Sequence, residues 1–274
     1  MISCPTIRKQ SIRFHYNLAT PFYRLLWGHH LHHGLWNGEE SPWQAQQQLT
    51  DALASEAVRS GDRVLDVGCG MGGSSIHLAQ ELECRVTGVT LSRVQRHWAT
   101  GAAWLRRTSS ADFRCADIES LDLPATSFDV VWSIECTEHL FDKPAFFRKA
   151  ARWLRPGGRM AICAWLEGDT PTPENSRQVE KVCEAFLCPS LGSMADYQQW
   201  MTEAGLTMKI CHDWTDRVVR TWEICEQRVE RARLRRIAPI FGRDASAFLG
   251  HFSTILQAYR SGAMQYGALV FEKT

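Results

Sequence analysis

Two carboxylates, a histidine and a run of alternating glycines are the residues of this sequence best suited to chemistry. The glycines follow Val64, Leu65, Asp66 and Val67, as Gly68, Cys69, Gly70, Met71, Gly72, Gly73. The pattern is Asp-x-Gly-x-Gly-x-Gly. Glycine has no Cβ and accepts positive φ, so the backbone can approach a ligand closely at such a turn. The dinucleotide fingerprint spaces its glycines differently, as G-x-G-x-x-G after the strand. Here the acid precedes the glycines on the strand itself, where a carboxylate suits an ammonium group. The second cluster is Glu135, Cys136, Thr137, Glu138, His139, just past an apolar run. His139 is the best single candidate for a proton-transfer group, because an imidazole titrates near neutrality. A structural histidine capping the next helix is the competing reading. Four histidines, His29, His30, His32 and His33, invite a metal, yet there is no H-E-x-x-H and no carboxylate or cysteine at ligand spacing. No metal is expected.

These groups need elements to hold them. Residues 64–67 read as the first strand of a parallel sheet, and Ser74–Leu82 as the helix after the turn. Residues 84–92 read as a second strand, 111–118 as a third with its loop, and Ser127–Ile134 as a fourth. The fourth is apolar almost throughout, as a strand covered on both faces should be. Helices are expected over 12–27, over 42–60 (Trp43, Leu49, Leu53 and Ala57 at helical spacing), over 146–154, over 179–187 and over 193–206. Arg155–Gly158 reads as a turn before a fifth strand, 159–165. Thr207–Cys211 should be the sixth strand. Ala263–Glu272 should be the last, pairing with the sixth at the sheet edge. Residues 213–262 form an inserted helical cap. Its basic run, Arg228–Arg236, reads as a solvated helix face. In an open α/β sheet, ligands sit beyond the carboxyl ends of the strands at the topological switch, so Asp66, the glycines and His139 converge there.

Bulk composition narrows the partners. The chain has 274 residues and a net charge of +1, which gives no sign of nucleic acid. No apolar run reaches the roughly 20 residues of a membrane span, and residues 1–16 lack the apolar core of a signal peptide. The ten cysteines are scattered with no C-x-x-C pair, which fits reduced thiols in a cytoplasmic protein. Eleven tryptophans suggest an aromatic-lined cavity or extra core filling.

The glycine run resembles motif I of class I S-adenosylmethionine-dependent methyltransferases. Tyr16 and Asn17, followed by Trp27 to Trp36, resemble the N-terminal lid of the tocopherol methyltransferase group. Sugar, phosphoethanolamine and cyclopropane-fatty-acid relatives carry looser versions. Thr90, Leu91, Ser92 and Gln95, and the run from Glu135 to His139, match the same group, and Leu154, Pro156, Gly157 and Gly158 recur across the superfamily. Asn17 departs from the aspartate usual at that position. The resemblance implies a Rossmann-like α/β fold: a seven-stranded sheet with helices on both faces, an N-terminal lid (1–42), a cofactor-binding core (43–165), and the rest of the sheet with its cap (166–274).

The resemblance also assigns roles. S-adenosylmethionine would be held by Asp66, Gly68, Cys69, Gly70, Thr90, Leu91, Gln95, Asp117, Ile118, Ile134 and, from the lid, His33. Asp117 would accept the adenine amino group. From their place at the carboxyl edge and in the lid, His139, Glu138 and Tyr16 are expected to carry catalysis, with His139 or Glu138 taking a proton and Tyr16 positioning His139 or closing the site above it. The acceptor would be a small, largely apolar or aromatic metabolite methylated at carbon, oxygen or nitrogen, as in secondary metabolism. A non-catalytic cofactor-binding protein, or a pseudo-enzyme subunit, is the alternative. A homo-oligomer stays open.

Overall fold

The computed structural model describes the chain apart from residues 27, 29 and 232–242; the side chains of residues 22, 25, 26 and 243–249 are also outside the description. A short strand β1 (Ile2–Ser3) precedes helix α1 (Lys9–Leu26) and helix α2 (Pro42–Ala57). Then β2 (Arg63–Val67), α3 (Gly73–Glu81), β3 (Arg85–Thr90), α4 (Arg93–Leu105), β4 (Ala111–Cys115) and β5 (Phe128–Ile134) alternate. A single 3₁₀ turn, Thr137–His139, leads to α5 (Lys143–Trp153) and β6 (Leu154–Glu167). The second half holds α6 (Pro173–Phe186), β7 (Ser190–Leu191), α7 (Met194–Glu203), β8 (Leu206–Asp213), α8 (Thr215–Val218), α9 (Arg220–Arg231), α10 (Arg243–Arg260) and β9 (Met264–Lys273). The described helices between β8 and β9 fall where the cap was expected. The part of its basic run beyond Arg231 lies outside the described residues.

Local chemistry explains the helix starts. Ser41 caps α2 in a reciprocal capping box with Gln44, and Pro42 sits in the first turn, where its missing N–H costs nothing. Ser193 and Asp196 repeat the box at α7. Ser92, Asp142 and Thr172 cap α4, α5 and α6. With Thr172 as its cap and Pro173 in its first turn, α6 begins six residues before the 179–187 helix expected from the sequence.

The main sheet has seven strands in the order β4-β3-β2-β5-β6-β9-β8. The first five run parallel, and β9 is antiparallel to both neighbours. Here the sequence expectation needs correction: β9 is an interior strand and β8 is the edge. The reason is burial. Residues 266–271 of β9 are all buried, whereas β8 is mostly exposed or half-buried. The expected turn at Arg155–Gly158 is a bulge within a longer strand. Phe128 pairs with Leu154 and Val130 with Arg159, leaving the four residues between without partners on β5. The sheet's order reverses between β3 and β5 on either side of β2, which is the switch point. At the opposite end of the strands, Arg159 and Asp62 form a buried ion pair at 2.7 Å. That end is structural and the carboxyl end is free for a ligand.

Candidate active site

The turn after β2 is shaped by positive φ at Gly68 (76°), Gly70 (51°) and Gly72 (81°). A Cβ on Gly68 would stand 2.2 Å from Cys136 Sγ, so that position admits no side chain. A Cβ on Gly70 would meet only Leu31 Cδ1, at 3.7 Å, and Gly68 O, at 4.0 Å; this glycine faces the cleft. The Gly68 and Cys69 amides donate to Val89 O and pin the turn to β3. Asp66 is buried, and Ser75 Oγ donates to its Oδ2. Burial pushes its carboxyl up to about 7, against the pull of the Ser75 hydrogen bond. A buried acid with no cation beside it is a site that favours one. The ammonium of a methionine-like ligand meets that demand.

A cleft opens over the carboxyl ends of β2, β3 and β4. Asp66, Gly68, Cys69, Gly70, Thr90, Leu91, Gln95, Asp117, Ile118 and Ile134 all line it, as do Tyr16 and His139. Thr90 Oγ1 donates to Gln95 Oε1 at 2.7 Å, so these two polar side chains act as one unit at the end of β3. Asp117 is less free than the sequence suggested. Lys9 from α1 donates to its Oδ2 at 2.8 Å, and the Glu119 amide donates to Oδ1 at 3.1 Å. Lys9 also meets Glu119 at 2.6 Å. A ligand amino group at Asp117 must share these oxygens. Asn17, which breaks the acidic pattern, accepts from Ser92 Oγ at 2.8 Å and from the Val94 amide at 3.4 Å. A neutral carboxamide there ties α1 to the start of α4.

A second chamber adjoins the first. Tyr16, Leu31, His32, Glu135 and His139 line both and form the wall between them. Tyr23, Trp165, Phe186, Trp222 and Phe252 give the second chamber an aromatic lining. His33 belongs to this chamber and does not line the larger cleft, contrary to its expected role as a cofactor contact. Its ring is held by Glu135 at 2.9 Å and by the Trp222 indole, which turns it away from the glycine turn. His30 and His32 lie 3.1 Å apart. Gln46 donates to both of their carbonyls, so the cluster is braced by α2. Among the described residues no group of three or more His, Cys, Asp or Glu stands ready to hold a metal.

The dividing wall carries an ordered proton arrangement. His139 Nδ1 lies 3.1 Å from Leu187 O, and a carbonyl can only accept. Nδ1 therefore carries the hydrogen, and Nε2 is left to accept from Tyr16 OH at 2.8 Å. Leu187 is the C-cap of α6 in the left-handed region (φ 57°), a conformation that points its carbonyl at the ring. Burial lowers the His139 pKa to about 4, partly offset by the Leu187 hydrogen bond. The ring is a neutral acceptor at pH 7.

Glu135 and Glu138 differ in state. Glu135 is also left-handed (φ 52°), and its Oε1 accepts from the His33 amide, His33 Nδ1 and Tyr266 OH. Burial opposes its ionisation, but His33, its hydrogen bonds and His32 outweigh that and hold the carboxyl below its usual range. Glu138 goes the other way. Burial pushes it up to about 8, although Trp165 N donates to Oε1. Oε2 has no partner among the described residues. Burial thus favours the protonated form of Glu138, which the sequence offered as an alternative base. Two carboxylates three residues apart are shifted in opposite directions, as in sites that divide acid and base roles.

A methyltransferase domain model matches residues 65–162. The 27-O-demethylrifamycin SV methyltransferase of Amycolatopsis mediterranei (strain S699) is 35% identical over 235 residues, covering 83% of this chain and 85% of the relative. The chain belongs to the S-adenosylmethionine-dependent methyltransferases. A chloroplastic tocopherol O-methyltransferase of Arabidopsis thaliana is 27% identical over 296 residues, covering 99% of this methyltransferase and 84% of the relative. In fold, the cyclopropane synthase MmaA2 of Mycobacterium tuberculosis superposes with a TM-score of 0.86 at 18% identity, covering 98% of this chain and 100% of that one. The cofactor is S-adenosylmethionine, and it supplies a methyl group made electrophilic by its sulfonium. Asp66, the Thr90–Gln95 unit and Asp117 fit its charged and polar ends.

Several residues of the methyltransferase site gave no sign in the sequence. Lys9 is one of three cations in a polar stretch with Arg8 and Arg13, and Tyr266 lies 131 positions from the Glu135 it bonds. Lys143 is buried beside the site, donating to Leu140 O and to the carbonyl and hydroxyl of Ser190. Burial lowers its ammonium to about 8. It fixes the chain just after His139, yet as a sequence feature it resembles any exposed lysine.

Proposed function

We propose that the enzyme moves the methyl group to a hydroxyl of a small, largely apolar or aromatic acceptor held in the second chamber. One observation carries this reading. Tyr16 and His139 stand in the wall common to both chambers, with Nε2 of His139 as a proton acceptor. Methyl transfer is an in-line displacement, and holding the acceptor at attack distance supplies several kcal/mol of barrier reduction. The aromatic walls exclude water and order a flat or greasy acceptor. Glu138, protonated, offers a hydrogen bond to an acceptor oxygen, and Glu135, ionised, balances positive charge in the wall. The names of the rifamycin and tocopherol relatives are in keeping with a hydroxyl acceptor. Ten free cysteines accord with a reducing compartment such as the cytoplasm.

The test is an assay of methyl-labelled S-adenosylmethionine against a panel of phenols, alcohols, amines and alkenes, with products read by mass spectrometry. Labelled phenol or alcohol ethers are expected. Label appearing on amines or carbons alone overturns the hydroxyl reading. Cofactor binding with no transfer to any class favours a non-catalytic role.

A further inference from the structure

Helices α1 and α4 lie side by side, joined through Asn17. The inner face of α1 gives Lys9, Ile12 and Tyr16 to the cleft. Its outer face is apolar and open: Phe14 is 69% exposed and Leu18 is 61% exposed. On α4 and its end, Trp104 is 78% exposed, Leu105 74% and Trp98 37%. Trp98, Gly101, Ala102 and Leu105 also line a shallow groove with Arg24 of α1. Single exposed apolar residues are ordinary, but a group of aromatic and leucine side chains on two adjoining helices is not.

The charges on this face are one-sided. Residues 9–26 and 93–107 contain no Asp or Glu, while besides the inward Lys9 they hold Arg13, Arg24, Arg93, Arg96, Arg106 and Arg107. Arg13, Arg93, Arg106 and Arg107 are exposed, and no carboxylate pairs with them among the described residues. The whole chain is nearly neutral at +1, so this basic character is concentrated rather than general. Tryptophan, phenylalanine and leucine interleaved with arginine are what an interfacial helix presents to a bilayer: rings settle at the headgroup level and guanidinium groups meet anionic lipid. A second copy of the chain fits less well. A two-fold contact through this face would set the same arginines against each other.

We propose that the outer face of α1 and α4 docks on an anionic lipid surface. The reading stands apart from the acceptor's identity. It places the bilayer one helix away from the acceptor wall, since α1 presents Phe14 and Leu18 outward and Tyr16 inward.

Co-sedimentation tests this with the full chain and two kinds of vesicle, phosphatidylcholine alone and phosphatidylcholine mixed with phosphatidylglycerol. The protein should pellet with the anionic vesicles only, and less at raised salt. Arg106→Gln with Arg107→Gln should weaken that partition roughly 30-fold. Trp104→Ser with Leu105→Ser should abolish it. Calorimetric binding of S-adenosylmethionine, unchanged in both variants, shows that they fold. Failure to pellet with anionic vesicles overturns the proposal, as does equal pelleting with both kinds. So does wild-type pelleting by either variant. Light scattering that finds a dimer, dissolved by the Trp104 and Leu105 changes, assigns the face to self-association instead.

Discussion

The Tyr16–His139 pair makes a quantitative demand on a double-mutant cycle. His139→Ala removes a base worth about 10²–10⁴-fold in turnover. Tyr16→Phe removes one hydrogen bond, 2.8 Å long, to Nε2. At about 0.5–1.5 kcal/mol that costs about 2- to 13-fold. Tyr16 acts through His139, so Tyr16→Phe in the His139→Ala background should cost almost nothing more. Cofactor affinity should change little in any of the three, since Asp66 and the glycine turn are untouched. The pH dependence sharpens the test. With the imidazole lowered to about 4, the acid limb of turnover that this group causes lies near pH 4, not near 6.5. The sign for stability follows. Above about pH 6.5 the ring is neutral in folded and unfolded chains alike, and its contribution is full. As pH falls from there toward about 4, the unfolded chain takes up the proton first and stability is lost, at most about 3 kcal/mol in all. His139→Ala should erase that acid-side slope in thermal unfolding. Initial rates with labelled cofactor and a confirmed acceptor, measured across the pH range, check the kinetic half. Full turnover by His139→Ala, or losses that multiply in the double variant, refute the reasoning and leave His139 as a structural cap.

Asp66→Ala should weaken S-adenosylmethionine binding by about 10- to 150-fold in calorimetry, with the fold retained. In the wild type, a carboxyl at about 7 must ionise to receive the ammonium, so affinity should fall about tenfold per pH unit below about 7; affinity flat from pH 8 to 5 contradicts this. Gly68→Ala should lower stability by about 2–4 kcal/mol, because its Cβ collides with Cys136 and its φ is positive. Gly70→Ala should cost far less stability yet impair cofactor binding, and equal melting losses at both positions argue against the cleft-facing assignment. Extensive treatment with EDTA should leave turnover intact; activity that vanishes and returns with one divalent ion would overturn the expectation that no metal is needed.

The parallel half of the sheet was legible because its signals are local. Asp66 to Gly73 and the apolar run of β5 each state their own conformation, and the cleft-lining residues between 66 and 134 follow from strand ends. The antiparallel half was harder. Interior and edge strands differ in what covers them, and the apolar run of β9 does not say whether β8 or β6 lies beside it. The chamber that His33 lines was illegible for a similar reason. The sequence shows a histidine in a lid, but its direction is fixed by Glu135 and Trp222, which are 102 and 189 positions away. The burial of Glu138 beneath Trp165, which disfavours its charged form, is a tertiary fact that the sequence does not carry. Lys9 and Asn17 are contacts across the lid that no spacing announces.

The carbonyl of Leu187 sets the character of the proton step. In sites where a carboxylate holds the imidazole, the charged ring is stabilised and keeps its proton for a later donation. Here a neutral main-chain oxygen does the holding, and the imidazolium has no counter-ion on that side. In the proposed transfer to a hydroxyl, so weak a base would not strip the hydroxyl before attack. It would receive the proton as the new carbon–oxygen bond forms, when the oxygen has become strongly acidic. With a conjugate acid at about 4, it would surrender that proton once water reaches the wall. The ring would then reset with the opening of the site, with no separate regeneration step between one turnover and the next.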